Sequence, residues 1–209
     1  MLPGFSEFCY LTRKGIDKAK MEDFEYLVDS RPKFNAFARR LRLAKSMKEI
    51  NFEGYRESTA KGYEALNRHF LIFSVFKRYA IDCEGIGGMY HLVLQYVPDT
   101  KFREIREAFK IVDTNDAVFN FLLENSSSIP QKRSLSAFRR GDSDRKGIYI
   151  SAMLRNSFSH GILSANPKDA PQKSVEILAD FMSTFLYQAM VVDFQYRLNE
   201  VKEELGFYK

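Results

Sequence analysis

The sequence predicts an all-α protein, a bundle of long antiparallel helices with an N-terminal helical extension, on three observations. Apolar residues recur at three- and four-residue steps along most of the 209-residue chain, which is the period of an amphipathic helix. The only ambiguous segment, residues 90–97, has no strand partner in sequence, so it is predicted as a helix ending at Pro98. Apolar residues make up 45% of the chain and aromatic residues 14%, enough for a substantial core.

The first fifty residues form the predicted extension, and residues 51–209 form the predicted bundle, with one continuous domain over residues 1–209 as the alternative. Apolar spacing predicts a first helix over residues 17–29. A second helix is predicted to follow, with Ser30 as its N-cap and Pro32 in its first turn, where proline is tolerated.

Within the bundle, the longest predicted helix carries a broad apolar stripe and ends at a glycine-rich stretch. The segments "NSSSIPQK" and "SLSAFRRGDSDRKG" are predicted as a loop and a connection to the next helix. A long helix closes the chain after a loop that contains two prolines. The predicted helices lie at residues 57–82, 90–97, 99–113, 115–125, about 147–160 and 174–204.

The charge of the chain is only +5, but its basic residues are concentrated in two blocks, residues 31–48 and 131–155. Such blocks indicate a surface that faces a polyanion, with a solvated helix face as the alternative. The candidates for contact with this polyanion come from the second block: Arg139, Arg140, Arg145 and Lys146.

Two cysteines, Cys9 and Cys83, have neither the spacing of metal ligands nor that of a disulfide framework, which favours a reducing, cytoplasmic location. The N-terminus does not have the pattern of a signal peptide, and no stretch approaches the roughly 20 apolar residues of a membrane span. We therefore expect no membrane association, no metal and no cofactor.

The stretch "MLRNSFSHGIL", residues 153–163, places its most reactive side chains at the end of an apolar helix. Gly161 is suited to the left-handed residue that follows a helix, which puts His160 at or near the C-cap. The negative end of the helix dipole attracts a cation there. The alternative is a packed helix end whose polar groups satisfy buried carbonyls.

Arg155, Asn156 and His160 are the residue types needed to cleave RNA without a metal. Histidine can act as base or acid, and arginine offers a fork of donors to a phosphate. Asn156 and His160 share a helix face, whereas Arg155 and His160 are about 140° apart around the helix. A second copy of the motif, related by a two-fold axis, would bring both types into one cleft.

The series Arg155, Asn156 and His160 resembles the R-N-x-x-x-H form of the motif of HEPN domains, and the surroundings are similar over roughly residues 55–205. The resemblance implies a helical bundle of the HEPN type that pairs through its motif helix. It also implies a metal-independent ribonuclease, as in many toxin–antitoxin, defence and RNA-processing systems, with Arg155 and His160 catalytic and Asn156 supporting. Glu64 and Asn67 are the candidates for supporting residues on the earlier long helix.

One departure from the family concerns regulation. In HEPN domains paired with minimal nucleotidyltransferase antitoxins, a tyrosine two positions after the histidine accepts a nucleotide, but this chain has Ile162 there. Control by that route is therefore not expected.

We expect an endoribonuclease acting on single-stranded RNA as a homodimer, in a toxin or defence system, with a possible antitoxin or other protein partner. The alternative is a non-catalytic HEPN-like module that binds nucleic acid, a nucleotide or a protein. His69 and His91, each isolated among apolar neighbours, are predicted to be core or interface residues.

Overall fold

The computed structural model describes residues 2–13, 31–47, 50 and 52–204. Within these ranges the chain forms eight α-helices and no strand, so the all-α prediction is confirmed. The helix predicted over residues 17–29, together with Ser30, lies outside the described residues. The helices are α1 (Phe5–Arg13), α2 (Arg31–Ser46), α3 (Glu57–Glu84), α4 (Asp99–Val112), α5 (Ala117–Asn125), α6 (Ile129–Arg140), α7 (Tyr149–Ser159) and α8 (Ser174–Glu204).

The two longest helices, α3 and α8, form the centre of the molecule and pack against each other. Hydrogen bonds join them at Arg68–Asp180, His69–Ser183 and Tyr79–Asp193, with sequence separations of 112, 114 and 114. A constant separation means that the two helices run in the same direction. The prediction of long antiparallel helices is therefore wrong for this pair, because α4 to α7 lie between them in sequence and carry the chain back.

The described part of the predicted N-terminal extension belongs to the same core as the bundle. Phe8 and Leu11 from α1, and Phe37 and Leu41 from α2, are buried in one continuous apolar cluster with α3 and α8. The ring of Phe37 lies 5.9 Å from that of Tyr79, measured between centroids. The apolar stripe of α2 therefore packs on α3, and Arg39, Arg40 and Arg42 are exposed.

Two stretches differ from the predicted elements. Residues 90–97 contain only a short 3₁₀ turn, Tyr90–Leu92, and Pro98 is the N-cap of α4 rather than the end of a helix. Helix α6 lies where a loop and a connection were predicted. Its start is set by Ser128, whose hydroxyl oxygen accepts from the backbone N–H of Gln131 at 3.4 Å, and it ends at Gly141, which has a φ of 89°.

Helix α8 is both long and apolar. Its segment Ser174–Glu200 is, by length and composition alone, able to cross a membrane, contrary to the sequence expectation that no stretch approaches that limit. Half of its most apolar window is buried inside the bundle, and it carries the buried ion pair of Asp193 with Arg197. The core helix of a bundle has this composition because several neighbours cover it.

Candidate functional site

The motif helix α7 ends as its sequence predicts. His160 is the C-cap residue, and its backbone N–H donates to the carbonyl of Asn156 at 3.0 Å. Gly161 has a φ of 70°, so the chain leaves the helix in the left-handed conformation that glycine adopts without strain. The side chain of His160 is exposed at this end, whereas the first two turns of α7 are buried.

Contacts with α3 fix the position of α7. The rings of Tyr63 and Phe158 lie 6.4 Å apart, and the guanidinium of Arg155 lies 5.0 Å from the ring centre of Phe70. Residues later in α3 contact residues earlier in α7, so these two helices are antiparallel. The motif helix is therefore held along the longest helix of the core.

His69 joins α3 to both α7 and α8 inside the core, where it is fully buried. Its Nε2 donates to the carbonyl of Ser151 at 3.0 Å, since a carbonyl can only accept, and its Nδ1 lies 3.3 Å from the hydroxyl of Ser183. Desolvation by burial lowers the pKa of His69 to about 4, so the ring is neutral near neutral pH. The expectation of a core histidine is confirmed.

His91 is half-buried, and its Nδ1 lies 3.0 Å from the Tyr149 hydroxyl at the start of the motif helix. Burial, and to a smaller extent the charge of Lys146, lowers the pKa of His91. His91 therefore belongs to the packing at the start of α7 rather than to the exposed end that holds His160.

Arg155 and His160 line two different cavities within one chain. His160 lies with Asn156 in an open cavity of about 290 Å³ at the end of α7, next to the start of α6. Arg155 lines a second cavity of about 360 Å³ against α2 and α3. The single chain thus leaves the two residues apart, in agreement with their angular separation around the helix.

Asn156 connects the two cavities. Its side-chain oxygen accepts a hydrogen bond from Nη1 of Arg155 at 3.0 Å, while Asn156 itself lines the cavity of His160. Together with the ring of Phe70, this bond restricts the guanidinium of Arg155. Asn156, the residue directly after the arginine, therefore orients the arginine.

Glu64 and Asn67 make contacts other than the supporting ones expected of them. Glu64 pairs with Arg68 at 2.6 Å, and Arg68 also reaches Asp180 of α8. The amide nitrogen of Asn67 donates to the carbonyl of Tyr63 one turn earlier, at 2.8 Å. Both side chains thus serve α3 and its contact with α8.

Arg145, a candidate for RNA binding, makes its contacts inside the fold. Its guanidinium bonds Asp99 and the carbonyls of Leu94 and Val97, and it lies 4.5 Å from the ring centre of Phe102. The side chain is only 22% exposed. Each of its three guanidinium nitrogens donates to an acceptor inside the fold, so Arg145 holds the segment before α4 in place.

The other basic candidates are less enclosed. Arg139 bonds Asp116 at 2.7 Å and Asn120 at 2.9 Å, both beside α5. Arg140 pairs with Asp142 at 2.6 Å, and Lys146 is half-buried. The structure thus neutralises much of the second basic block, which a count of charges along the sequence does not show.

Two residues that sequence reasoning did not single out, Arg40 and Lys77, lie in the cavity of Arg155. Arg40 was visible in the sequence only as one of several cations in the first basic block. Lys77 follows the apolar stripe of α3, where a charged residue interrupts a run of aromatic side chains. Their proximity to Arg155 depends on how α2 and α7 pack on α3.

In the part of the chain that the structure describes, no group of three or more histidine, cysteine or acidic side chains is arranged to hold a metal ion.

The chain matches no protein-family model, no curated protein and no solved structure.

Proposed function

We propose that this protein is a metal-independent endoribonuclease of the HEPN type that cleaves single-stranded RNA as a homodimer. One observation carries the proposal: α7 ends with His160 exposed beside Asn156 in an open cavity, and Asn156 holds Arg155. This cluster of base, amide and cation matches the requirements of RNA cleavage by the 2′-hydroxyl.

In the proposed reaction, the 2′-oxygen of the RNA attacks the adjacent phosphorus and the bond to the 5′-oxygen breaks. His160 takes the proton of the 2′-hydroxyl while a water molecule gives a proton to the leaving 5′-oxygen, or the water takes the first proton and His160 gives the second. Arg155 stabilises the extra negative charge on the phosphorane through its fixed donors. The products are a 2′,3′-cyclic phosphate and a free 5′-hydroxyl, and the reaction as proposed requires neither an oxidant nor a metal ion.

A second copy of the chain completes the proposed site. Since Arg155 and His160 line separate cavities in one chain, the histidine of one copy needs the arginine of the other. Ile162, which is 46% exposed in the lining of the His160 cavity, offers an apolar contact for the partner's motif helix.

The test is cleavage of a labelled single-stranded RNA in the presence of EDTA. We expect His160→Ala to slow cleavage by about 10²- to 10⁴-fold and Arg155→Ala by about 10²- to 10³-fold. Ser159→Ala is the matched control, because Ser159 is exposed in the same turn and bonds only locally, to the carbonyl of Asn156. Equal cleavage by all four proteins, or cleavage abolished by EDTA, would contradict the proposal.

A second candidate function is a binding module that does not cleave RNA. It is favoured by the position of Arg155 among other cations rather than beside His160. In that case Arg155→Ala weakens RNA binding, His160→Ala leaves it unchanged, and the wild-type protein cuts no RNA. Binding measured beside cleavage on the same samples separates the two functions.

A further inference from the structure

The cavity of Arg155 lies between three helices and is strongly basic. Its described lining consists of Arg40 from α2, five residues of α3 and Arg155 from α7, and it includes four cations and no carboxylate. The five residues from α3 are Phe73, Ser74, Lys77, Arg78 and Ile81.

Arg40 and Lys77 are exposed, and neither forms an ion pair with a described residue. Arg155 donates to a neutral partner, the amide oxygen of Asn156, so its charge is not cancelled. Arg78 has an interaction of its own and is not needed for the argument. Three positive charges in one concavity repel one another and produce a local field that attracts an anion.

The cavity also has the donors and the size for a phosphate group. The fork of Arg155 is held by Phe70 and Asn156, and a restricted guanidinium loses less entropy when it binds a phosphate. Lys77 supplies a mobile point charge from the adjacent helix. A volume of about 360 Å³ is suited to one small ligand group rather than to a whole macromolecule.

We propose that this cavity binds a phosphate group of the RNA strand and so holds the strand beside Arg155, outside the His160 cavity of the same chain. That the phosphate belongs to RNA rests on the proposed function. That the cations of this cavity bind a phosphate does not depend on it. The hydrogen bond between Arg155 and Asn156 joins the two cavities, so a strand held in one leads toward the other. A mononucleotide carries the same phosphate chemistry and is the other source to be distinguished.

The experiment measures binding of labelled 2′-O-methyl oligouridine of 12 nucleotides, which lacks the attacking hydroxyl and is not cleaved. We expect Arg40→Ala and Lys77→Ala each to weaken binding about tenfold at low salt. Each substitution also makes the plot of log affinity against log salt concentration less steep, by about 0.7 in the magnitude of its slope. ATP and inorganic triphosphate are measured on the same proteins.

Two controls make the result specific. Arg42→Ala removes an exposed cation two positions along the same helix, outside the cavity lining, and we expect oligonucleotide binding to be unchanged. Ser159→Ala should also bind normally, since Ser159 is exposed and lies outside the cavity lining. Arg40→Lys, which keeps the charge, should retain most of the affinity.

The outcomes separate the two proposals. Loss of oligonucleotide binding in the Arg40 and Lys77 variants, with no RNA cleaved by the wild type, supports the phosphate cavity and contradicts the ribonuclease. If the Arg40 and Lys77 variants lose binding of ATP and triphosphate, and no protein binds the oligonucleotide, the ligand is a nucleotide and the proposal of an RNA strand is overturned. Equal effects of Arg40→Ala and Arg42→Ala on binding, or no binding of any probe, overturn the proposal that this cavity binds a phosphate group.

Discussion

At the scale of single residues, burial gives His69 and His160 different roles. His69 has no accessible surface and lies between the Ser151 carbonyl and the Ser183 hydroxyl, where a charge is costly. His160 is exposed at a helix C-cap, where it can meet a substrate. The first histidine holds the motif helix in the core, and the second is open to solvent, as the proposed reaction requires.

The depressed pKa of His69 makes the stability of the fold depend on pH. The folded protein favours the neutral ring, so its contribution is complete above pH 6.5 and is lost as pH falls toward about 4. Between pH 7.5 and pH 5 we expect the free energy of unfolding to drop by about 2 kcal/mol through this group. Urea unfolding at the two pH values measures the change.

His69→Gln is the matched control, because an amide can still donate to the Ser151 carbonyl but does not titrate between pH 5 and pH 7.5. We expect this variant to be less stable at pH 7.5 but to lose less stability on acidification than the wild type. The same pH dependence in both proteins would show that His69 does not titrate in the fold as its burial indicates.

The arginines show what a sequence can and cannot predict at this scale. Arg155 was identified by its spacing to His160, and the fold agrees with the angular argument that the two diverge. Arg145 has the same side chain in a basic run, yet its donors go to Asp99 and two carbonyls. The acceptors lie 46 to 51 residues away in sequence, so only the tertiary structure reveals them.

At the scale of elements, the close approach of α3 to the segment after the motif helix depends on Gly62. A Cβ added at Gly62 would lie 2.7 Å from the Cβ of Ala165, closer than side-chain carbons approach each other. Leu163 in the same segment donates its backbone N–H to the Ser157 carbonyl at 3.0 Å. The segment that follows α7 is therefore packed closely against α3 at Gly62.

We expect Gly62→Ala to destabilise the protein by about 1 kcal/mol net. Overpacking costs about 1–3 kcal/mol, and the higher helix propensity of alanine returns up to about 1 kcal/mol. Thermal or urea unfolding measures the difference. The double variant Gly62→Ala/Ala165→Gly removes the close contact between the two Cβ atoms and should recover the lost free energy of unfolding. A Gly62→Ala protein more stable than the wild type would show that α3 and the segment at Ala165 have room for the added Cβ.

Elements with long apolar repeats could be predicted from sequence, and short ones without such repeats could not. The repeats define α3, α4 and α8, and the structure gives them bounds within about three residues of those predicted. Helix α6 contains few apolar residues, and its N-cap Ser128 lies in a run of serines that resembles a loop. Residues 90–97 carry apolar side chains because they are buried, not because they are helical.

At the scale of the whole molecule, helix direction and the place of the N-terminal segment come from packing. The hydrogen bonds between α3 and α8 show a parallel pair, which no local pattern in either helix encodes. The amphipathic pattern of α2 marked an apolar face but not its partner. Packing of α2 on α3 brings Arg40 into the cavity of Arg155 and so creates the basic site.

The proposed active site also belongs to this scale, because it requires two copies of the chain. Arg155 and His160 face separate cavities, so a complete site takes the arginine of one copy and the histidine of the other. A heterodimer of an Arg155→Ala copy and a His160→Ala copy then contains one intact site and one doubly altered site.

Cleavage of single-stranded RNA in EDTA by that heterodimer, purified through two different tags, is the decisive measurement. Each parent homodimer should be nearly inactive, and the heterodimer should recover about half of the wild-type rate, since one of its two sites is intact. Thermal unfolding of all three proteins verifies that the substitutions leave the fold in place. A folded heterodimer as inactive as its parents would contradict a site shared between two motif helices.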